Sequence, residues 1–394
     1  MQTAYIVAAL RSPVGKAPRG MLHHTRPDDL LAHVLKGILA QCPALDPVQI
    51  DDVIVGCAMP EAEQGLNIAR MALLLAGLPA SVAGMTVNRF CASGLEAIAI
   101  AANRIRLGEA EVMIGAGVES MSFIPMGGYH PAFNPAIFIQ NNALAMAYGM
   151  GMTAEIVAQR WQISREDQDI FACESHHKAA AAQQAFCAEI LPYTVHEALP
   201  APDGQSLIHH ERVLSQDEGV RPHTQPADLA KLKPSFAARG SVTAGNSSQM
   251  SDGAGAVLLM SERMVQRLNL TPLARFVGYS VVGVEPEVMG IAPVAAIPKV
   301  LQQTGLKLAD IENIELNEAF AAQSLAVIRQ LQLDPARVNL QGGAIALGHP
   351  LGATGALRTT TLVHSLRRHR QRYGMVSLCI GTGMGAAGIF EAVR

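Results

Sequence analysis

The residues best suited to nucleophilic chemistry in this sequence are two cysteines and one histidine. The first cysteine, Cys91, stands in the stretch Val-Asn-Arg-Phe-Cys-Ala-Ser-Gly-Leu, which predicts a short apolar strand, a tight turn and a helix running to about Leu107. At a helix N-terminus, unpaired backbone N–H groups and the helix dipole favour the thiolate over the thiol. We therefore expect Cys91 to be a nucleophile. The alternative is a buried small apolar residue, as most free cysteines are.

Turns in the C-terminal part of the chain carry further reactive groups. Asn317 follows a predicted strand, His349 lies among glycines, and Cys379 opens the run Cys-Ile-Gly-Thr-Gly-Met-Gly. A cysteine with a histidine base makes a thiol nucleophile, and a second thiol that moves a proton suits carbon–carbon bond chemistry on thioesters. Asn317 would orient a water or an oxyanion, and N–H groups near Gly381 would bind a thioester oxygen. Taken singly, His349 and Cys379 also fit core packing, and only their combination with Cys91 indicates catalysis.

The composition limits the classes of protein to which the chain can belong. With 394 residues, of which 49% are hydrophobic, we expect a large core and two or three domains. A formal charge of −3, from 30 basic and 33 acidic residues, predicts no basic face for nucleic acid. We expect no membrane span, because no uncharged apolar run reaches about 18 residues, and the first residues lack the basic start of a signal peptide.

The cysteine pattern predicts reduced thiols and a cytoplasmic location. The sequence has 6 cysteines and no Cys-x-x-Cys pair, which argues against a disulfide framework. For Cys42, Cys57, Cys173 and Cys187 we expect no role beyond packing.

Alternating strands and helices must position the reactive turns. Residues 4–9, 51–58 and 111–116 predict strands, and residues 27–40 and 67–76 predict helices. This alternation is typical of an α/β fold with a mostly parallel sheet.

The middle of the chain has a different texture. Residues 121–239 are rich in Met, Pro, His and charged residues and include a predicted helix over 165–186, so we expect an inserted domain before a strand at 256–260. From Leu273 a second alternating run repeats the order of elements of the first, which indicates two similar halves. Such halves would bring the Cys91 turn and the C-terminal turns to one cleft at strand ends.

Together these motifs resemble the thiolase family over essentially the whole chain. They are the nucleophile turn at 87–95, the Asn-Glu-Ala-Phe box at 317–320, the Gly-His-Pro box at 348–350 and the terminal box at 379–385. The resemblance implies that Cys91 is the acylated nucleophile, that His349 activates it and that Cys379 moves the proton at the acyl α-carbon. It implies one oxyanion hole from the backbone N–H groups of Cys91 and Gly381. A second would come from His349 with a water held by Asn317.

The resemblance also implies a fold, a division into domains and a coenzyme A site. The expected fold is α/β, with two similar halves in a layered α-β-α-β-α arrangement and an inserted loop domain. The N-terminal half would be residues 1–119, completed by 243–270, the coenzyme A loop domain 120–242, and the C-terminal half 271–394. The residues that fall where the family contacts coenzyme A or lines its pantetheine channel are Arg221, Ser248, Met150, Phe236, Met289 and Phe320.

The coenzyme A residues are open to other interpretations when taken one by one. Ser247 competes with Ser248 by one position. Met150, Phe236 and Met289 also fit core packing, and Arg221 fits a solvated surface charge.

The activity implied is thiolytic cleavage of 3-ketoacyl-CoA by CoA to acetyl-CoA and a shortened acyl-CoA. The loop Tyr-Gly-Met at 148–150 lacks the histidine that short-chain biosynthetic members tend to carry, which favours the degradative type. Acyl-CoA and CoA would be substrates, with no permanently bound cofactor and no metal. A homodimer or homotetramer is expected, and an association with a β-oxidation hydratase or dehydrogenase is compatible with the resemblance. The alternatives are an acetyl-CoA acetyltransferase forming acetoacetyl-CoA and a non-catalytic CoA-binding relative, although the latter should have lost the reactive groups.

Three other classes have weaker support. The run Gly-Met-Gly-Ala-Ala-Gly at 383–388 matches a dinucleotide fingerprint, but too few residues follow it for the required βαβ unit. A papain-like hydrolase would have a different sequence around Cys91 and no task for Cys379. The histidine pairs at 23–24, 176–177 and 209–210 do not share a helix face and are predicted to be solvated surface rather than metal ligands.

Overall fold

The computed structural model describes residues 2–139, 144–200 and 206–393. The strands in these ranges are, in chain order, β1 (Ala4–Arg11), β2 (Gly15–Lys16), β3 (Asp52–Gly56), β4 (Ala83–Val87), β5 (Val112–Ser120), β6 (Tyr193–Pro200), β7 (Leu207–Leu214), β8 (Ser251–Ser261), β9 (Ala274–Gly283), β10 (Ile311–Leu316), β11 (Tyr373–Ile380) and β12 (Met384–Ala392). The helices are α1 (Pro27–Ala40), α2 (Ile68–Leu75), α3 (Ser93–Leu107), α4 (Met150–Arg160), α5 (Arg165–Ala181), α6 (Gln183–Phe186), α7 (Pro226–Leu229), α8 (Glu262–Arg267), α9 (Pro293–Thr304), α10 (Ala321–Leu331), α11 (Ala344–Leu347) and α12 (Thr354–His369).

A 10-stranded mixed sheet forms the centre of the molecule. Its strands follow the order β10-β11-β12-β9-β1-β8-β5-β3-β4, and β2 pairs with β8 at the side. Parallel pairing is confined to β10–β11, β3–β4 and β3–β5, whereas β1, β8, β9 and β12 run antiparallel to their neighbours. The prediction of a mostly parallel sheet is therefore wrong. The prediction failed because β8 is buried on both faces. Such burial gives this antiparallel strand the continuous apolar sequence that is typical of a parallel strand.

The two predicted halves are present as a repeated strand pattern. The order β1-β8-β5-β3 in the first half corresponds to β9-β12-β11-β10 in the second, with the same sequence of antiparallel, antiparallel and parallel pairs. The halves join where β1 pairs with β9 through Tyr5 and Ile6. Helix α3 precedes β5, and helix α12 precedes β11, so these two helices occupy equivalent places.

Helices α3 and α12 pack against each other between the two halves, which gives the layered arrangement its central layer. Small residues permit this approach, because a methyl group on Gly94 would lie 2.7 Å from Ala356 N and 2.8 Å from Gly352 O. Leu95 and Ile98 of α3 and Leu362 of α12 share one buried cluster, and each such side chain contributes about 2 kcal/mol of burial. Both helices begin on the same side of the molecule, so the turns before them are neighbours.

The segment between β5 and β8 holds α4 to α7 and the ribbon β6–β7. Helix α5 ends at Ala181 and α6 begins at Gln183, where the sequence predicted one helix over 165–186. Buried Arg11 of β1 ties this segment to the core: its Nε donates to Glu189 Oε1 at 2.6 Å, and its two Nη atoms donate to Asp217 at 2.8 and 3.0 Å. Removing one partner of such a buried group costs about 3–5 kcal/mol, so the attachment is strong. Within the described ranges, no helix combines the length and apolarity that crossing a bilayer requires.

Candidate active site

The Cys91 turn is a strained connection between β4 and α3. Phe90 has a φ of +43°, a left-handed conformation that costs a non-glycine residue energy. Side chains on either side stabilise it: Asn88 Oδ1 accepts from Phe90 N at 2.8 Å, and Ser93 Oγ donates to Phe90 O at 2.6 Å. The strain is therefore compensated locally, and the position of the Cys91 backbone is well defined.

Cys91 is buried among side chains from both halves. It packs with Ala58 and Phe90 of the first half, with Met121 directly after β5, and with Leu351 of the second half. The backbone N–H groups of Gly381, directly after β11, and of Cys91 itself lie near the thiol and act to lower its pKa. The two N–H groups predicted to form the first oxyanion hole therefore lie at the Cys91 turn and directly after β11, close to the same thiol.

Burial outweighs the effect of the nearby helix N-terminus on the Cys91 thiol. Burial raises the pKa of its thiol to about 11, the charge of Glu119 adds to the rise, and the two N–H groups offset only part of it. The helix dipole acts within the first turn, and Cys91 precedes the first residue of α3. The nucleophile therefore holds its proton at neutral pH and needs a base.

Cys379 lies at the end of β11 beside Cys91. Burial raises its pKa, and the charge of Cys91 raises it further, so the two thiols repel each other's thiolate forms. The turn after Gly381 is sharp, with Thr382 at φ +63° and Gly383 at φ +83°. Val284 N donates to Gly383 O at 2.8 Å and stabilises this turn.

His349 is buried with a defined tautomer. Its Nδ1 lies 2.7 Å from Thr354 Oγ1, and that hydroxyl donates its own hydrogen to Pro350 O at 3.1 Å. With the hydroxyl hydrogen directed to Pro350 O, Nδ1 carries the proton and Nε2 is the acceptor, which agrees with the amide Nδ2 of Asn317 on that side. Burial, followed by the charge of Arg358, lowers the pKa of His349 to about 3, so the imidazole is neutral and able to act as a base.

Asn317 stands next to this histidine. Its Nδ2 lies 3.4 Å from His349 Nε2, and its backbone is held by Ser377 O at 2.9 Å and by Gln323 Nε2 at 3.2 Å. The buried Asn317 Oδ1 has no hydrogen-bond partner among the described protein atoms. Such an acceptor suits a water or a substrate group, in agreement with the predicted pairing of Asn317 with a water.

Most of the predicted coenzyme A residues converge beside Cys379. Met289 and Phe320 share one apolar cluster with Cys379, and Met150 packs against that cluster. Phe236, which is 42% exposed, stands edge-on to Phe320 with ring centroids 6.0 Å apart. These side chains form one apolar wall beside Cys379, with exposed Phe236 at its outer end.

Ser247 and Ser248 differ in how their hydroxyl groups are used. Ser247 is buried and donates to Thr243 O at 2.6 Å, so its hydroxyl is already engaged. Ser248 is half-buried, and its backbone N–H donates to Ala319 O at 2.9 Å, next to Phe320.

Arg221 lies apart from this wall, in an exposed depression that His223, Asp228 and Leu232 also line. Its backbone N–H donates to His176 Nδ1 at 3.2 Å. His176 is only 3% exposed, so the prediction of a solvated histidine pair at 176–177 is wrong for this residue. The burial follows from the packing of α5 against the segment around Arg221, which is distant in sequence. Across the described ranges, no three His, Cys, Asp or Glu side chains are grouped to hold a metal.

The other cysteines are unpaired, and one differs from expectation. Cys42, Cys57 and Cys173 are buried, as packing residues should be, whereas Cys187 is exposed. Cys187 follows the short helix α6, and its thiol donates to Gln183 O at 3.7 Å.

Three groups that support the site were given no role by the sequence. Thr354 orients His349, and buried Glu318 accepts from Ser175 Oγ at 2.6 Å and Asn339 Nδ2 at 2.7 Å, which ties α5 to the second half. Glu119 accepts from Gly352 N at 2.8 Å. In the sequence, these three residues could have been noticed because each is a single acidic or hydroxyl residue within an otherwise apolar motif, at positions 119, 318 and 354.

Comparison with known proteins agrees with this geometry. Residues 4–263 match the family described as thiolase, N-terminal domain, and residues 270–392 match thiolase, C-terminal domain. The chain is 50% identical over 393 residues to a 3-ketoacyl-CoA thiolase of Bacillus subtilis (strain 168), covering 99% of this chain and 100% of that protein. It is 47% identical over 392 residues to the peroxisomal 3-ketoacyl-CoA thiolase 5 of Arabidopsis thaliana, covering 98% of this chain and 84% of that protein.

A solved structure is similar over the same extent. The crystal structure of the Bacillus anthracis acetyl-CoA acetyltransferase matches with a TM-score of 0.88 and 38% identity, covering 100% of this chain and 99% of that one. The two family matches together cover nearly the whole chain, and the relatives and the solved structure match over the same length. The chain belongs to the thiolase family.

Proposed function

We propose that this protein is an acyltransferase that cleaves 3-ketoacyl-CoA with CoA, giving acetyl-CoA and an acyl-CoA shortened by two carbons. The observation that carries the proposal is the meeting of Cys91, Cys379 and the N–H of Gly381 at one point. One thiol alone would serve a hydrolase, but a second thiol beside it has a task only where a carbanion is made or quenched.

The first half-reaction forms an acyl-enzyme on Cys91. His349 Nε2 takes the Cys91 proton, and the thiolate attacks the 3-keto carbon, whose oxygen becomes negative. The bond between the α- and β-carbons then breaks, its electron pair passes to the acetyl-CoA enolate, and Cys379 protonates the α-carbon. Once His349 Nε2 carries the Cys91 proton, it can donate together with Asn317 Nδ2 to one oxyanion, and the N–H groups of Cys91 and Gly381 are the donors available to the other.

The second half-reaction restores the protonation states of Cys91, His349 and Cys379. The Cys379 thiolate takes the proton of the CoA thiol, and the CoA sulfur attacks the acyl carbon on Cys91. The carbon–sulfur bond to Cys91 breaks, shortened acyl-CoA leaves, and Cys91 recovers its proton from His349. The enzyme ends in its starting state, and CoA is a substrate rather than a resident cofactor.

We assign coenzyme A binding to the apolar wall beside Cys379 and to the segment 120–242. Met150, Phe236, Met289 and Phe320 give the wall the length and apolarity that a pantetheine arm requires. Ser248 is favoured over Ser247 as a hydrogen-bonding partner, because the hydroxyl of Ser247 is used internally. Exposed Arg221 would face the phosphates, for which a guanidinium is well suited. The corresponding division is a first half at 1–119 with 243–270 and a second at 271–394, of which residues 1 and 394 lie outside the described ranges.

The degradative direction is favoured over acetoacetyl-CoA synthesis. The full-length relatives at 50% and 47% identity carry the name 3-ketoacyl-CoA thiolase, whereas the acetyl-CoA acetyltransferase structure is 38% identical. Thiolysis rates with acetoacetyl-CoA and with a longer 3-ketoacyl-CoA separate the two functions. We expect kcat/KM to be higher for the longer substrate, and a preference for acetoacetyl-CoA would favour the biosynthetic alternative.

Variants of the two thiols test the chemistry. Cys91→Ser should form no acyl-enzyme by intact-protein mass spectrometry and should lose more than about a thousandfold in turnover. Cys379→Ala should still be acylated by acetyl-CoA but should fail to exchange its α-proton with deuterium from solvent. Cys173→Ala, which changes a buried cysteine in another cluster, is the control and should keep full turnover. Full turnover by Cys91→Ala would disprove the scheme.

We further propose that the protein is a homodimer, two of which can associate as a tetramer. We also propose a cytoplasmic location, and a β-oxidation hydratase or dehydrogenase as the partner enzyme. The dimer is supported by β4, an edge strand that pairs only with β3 among the described strands. Exposed Leu66, Met71 and Leu74 lie on or before the neighbouring helix α2, and Met85 lies on β4 itself. An unpaired strand edge beside apolar side chains is the kind of surface that a second copy covers.

A further inference from the structure

Glu119 is a buried carboxylate at the end of β5, and the reaction scheme gives it no role. Its Oε2 accepts from Ala58 N and Gly352 N, both at 2.8 Å. Its Oε1 accepts from Gln64 Nε2 at 2.7 Å and from Met59 N at 3.2 Å. The Cys57 thiol lies 3.7 Å from the same Oε1.

The geometry requires Glu119 to be ionised. Every close partner is a donor, because three are backbone N–H groups and one is an amide NH2. The Cys57 thiol also keeps its hydrogen, since burial raises its pKa well above the ordinary value. A protonated carboxyl group would point its hydrogen at one of these donors. Burial raises the pKa of Glu119, but the hydrogen bonds from Ala58, Gly352, Gln64 and Met59 oppose that rise.

The same carboxylate joins the two turns that carry the reacting groups. Gly352 N belongs to the short 3-10 turn that follows His349 and Pro350. Ala58 is linked to the nucleophile turn, because Asn88 Nδ2 donates to Ala58 O at 3.0 Å. A methyl group on Gly352 would lie 2.6 Å from Ala58 N and 2.8 Å from Glu119 Oε2, so this junction leaves no room for a side chain.

The charge of Glu119 is also close to the nucleophile and is not neutralised by a cation. Among the residues that the structure describes, Glu119 forms no ion pair with arginine, lysine or histidine. The titratable groups around Cys91 are Glu119 from β5, Cys379 from β11 and His349. His349 is two residues before Leu351, which packs against Cys91. Arg358 of α12 acts on His349, and Cys57 is the titratable neighbour of Glu119 itself.

We propose that Glu119 is a positioning residue with two effects: it fixes the His349 loop against the Cys91 turn, and its negative charge opposes the loss of the proton from the resting nucleophile. Burial is the larger cause of the raised pKa of Cys91, and the charge of Glu119 adds to it. The inference deepens the proposed function and rests on it, but its first readout is the reactivity of Cys91 in the free protein, which is measurable without turnover.

The variant Glu119→Gln tests the charge. We expect the rate of Cys91 alkylation by iodoacetamide, followed by mass spectrometry of the Cys91 peptide, to rise roughly three- to tenfold at each pH between 7 and 9. Over the same range kcat should fall by roughly ten- to a hundredfold, since an amide cannot accept from all four donors. A higher rate of Cys91 alkylation together with a lower kcat would not result from a simple loss of stability. The Tm of the variant checks its stability.

The variant Gly352→Ala tests the clamp and keeps the charge. Its methyl group must displace Ala58 or Glu119, so kcat should fall by at least about tenfold, whereas alkylation of Cys91 at each pH should not accelerate. This variant also keeps the proposal testable if Glu119→Gln does not fold. The matched control is Glu96→Gln, since Glu96 is bonded to the same nucleophile turn through Arg89 Nε at 2.5 Å and has its charge balanced there. Its alkylation profile should match that of the wild type.

The outcomes are distinct. Unchanged alkylation in Glu119→Gln would overturn the role of the charge, and an equal acceleration in Gly352→Ala would show that access rather than charge controls Cys91. Unchanged kcat in Gly352→Ala would overturn the clamp. If instead Cys91 proves unnecessary for turnover, the proposed function fails, whatever the alkylation profiles show.

Discussion

At the scale of single residues, burial shifts the pKa values of the three titratable side chains of the candidate site so that all three are neutral. Cys91 and Cys379 hold their protons, and His349 is kept unprotonated with its acceptor nitrogen toward Asn317. A general base works best when it is free of its own proton and correctly oriented. Thr354 provides the orientation, because its hydroxyl accepts from His349 Nδ1.

The variant Thr354→Val should lower kcat by roughly ten- to a hundredfold, since it removes the acceptor that selects the tautomer of His349. Binding of substrate depends on other residues, so KM should change little. Steady-state thiolysis kinetics provide the measurement.

Thr359→Val is the matched control for this prediction. Thr359 is buried on the same helix and donates to Gly355 O at 2.7 Å, as Thr354 donates to Pro350 O, but it does not touch His349. Equal losses of kcat in both variants would show that helix packing rather than tautomer selection is responsible.

At the scale of elements, the pairing of α3 with α12 brings the candidate site together, and β4 forms one edge of the described sheet. The two central helices bring the preceding turns together, although Cys91 and His349 lie far apart in the chain. Met85 on β4 is 39% exposed beside a free strand edge. The strand that leads to the Cys91 turn is therefore the one that a second copy would cover.

The variant Met85→Lys should convert a dimer into monomers, because it places a charge in the centre of an apolar strand edge. Light scattering after size-exclusion chromatography measures the mass. Ile170→Lys is the comparison, since Ile170 is 40% exposed on α5, at another face. A wild-type protein that is monomeric at micromolar concentration would contradict the proposed dimer.

At the scale of the whole molecule, buried titratable groups make folding depend on pH. Burial lowers the pKa of His176 to about 4 and that of His349 to about 3. The unfolded chain binds these protons near pH 6.5 and the folded chain does not, so the stability they contribute is present above pH 6.5 and is lost as the pH falls. Burial raises the pKa of Glu315 to about 7, so the native state binds this proton more tightly than the unfolded chain. The contribution of Glu315 to stability therefore falls as the pH rises, opposite to that of the two histidines.

The variant His176→Asn should flatten the fall of unfolding free energy between pH 6.5 and 4.5 by up to about 1.4 kcal/mol per pH unit. The asparagine oxygen still accepts from Arg221 N, so the fold is preserved. Urea unfolding at several pH values gives the slope, and His177→Asn, which changes the exposed neighbour, should leave it unchanged. Identical slopes for wild type and His176→Asn would refute the assignment.

Much of the local structure is predictable from the sequence because it depends on short-range patterns. Helix α1 begins and ends at Pro27 and Ala40 as predicted, since a proline at the first turn and an apolar stripe define it locally. The repeat of the two halves was visible in the order of elements. The reactive groups were identifiable because cysteine, histidine and asparagine in glycine-rich turns have few structural reasons to be there.

What the tertiary structure decided depends on long-range contacts. The directions of β8 and β12, the burial of His176 and the use of the Ser247 hydroxyl follow from partners distant in the chain. The Cys91 thiol illustrates the difference. The sequence alone predicts which atom is the nucleophile, but the protonation of that atom depends on desolvation and, to a smaller extent, on Glu119, which is bonded to Gly352 in the other half. Local pattern selects the chemical group, and packing of the two halves controls its charge.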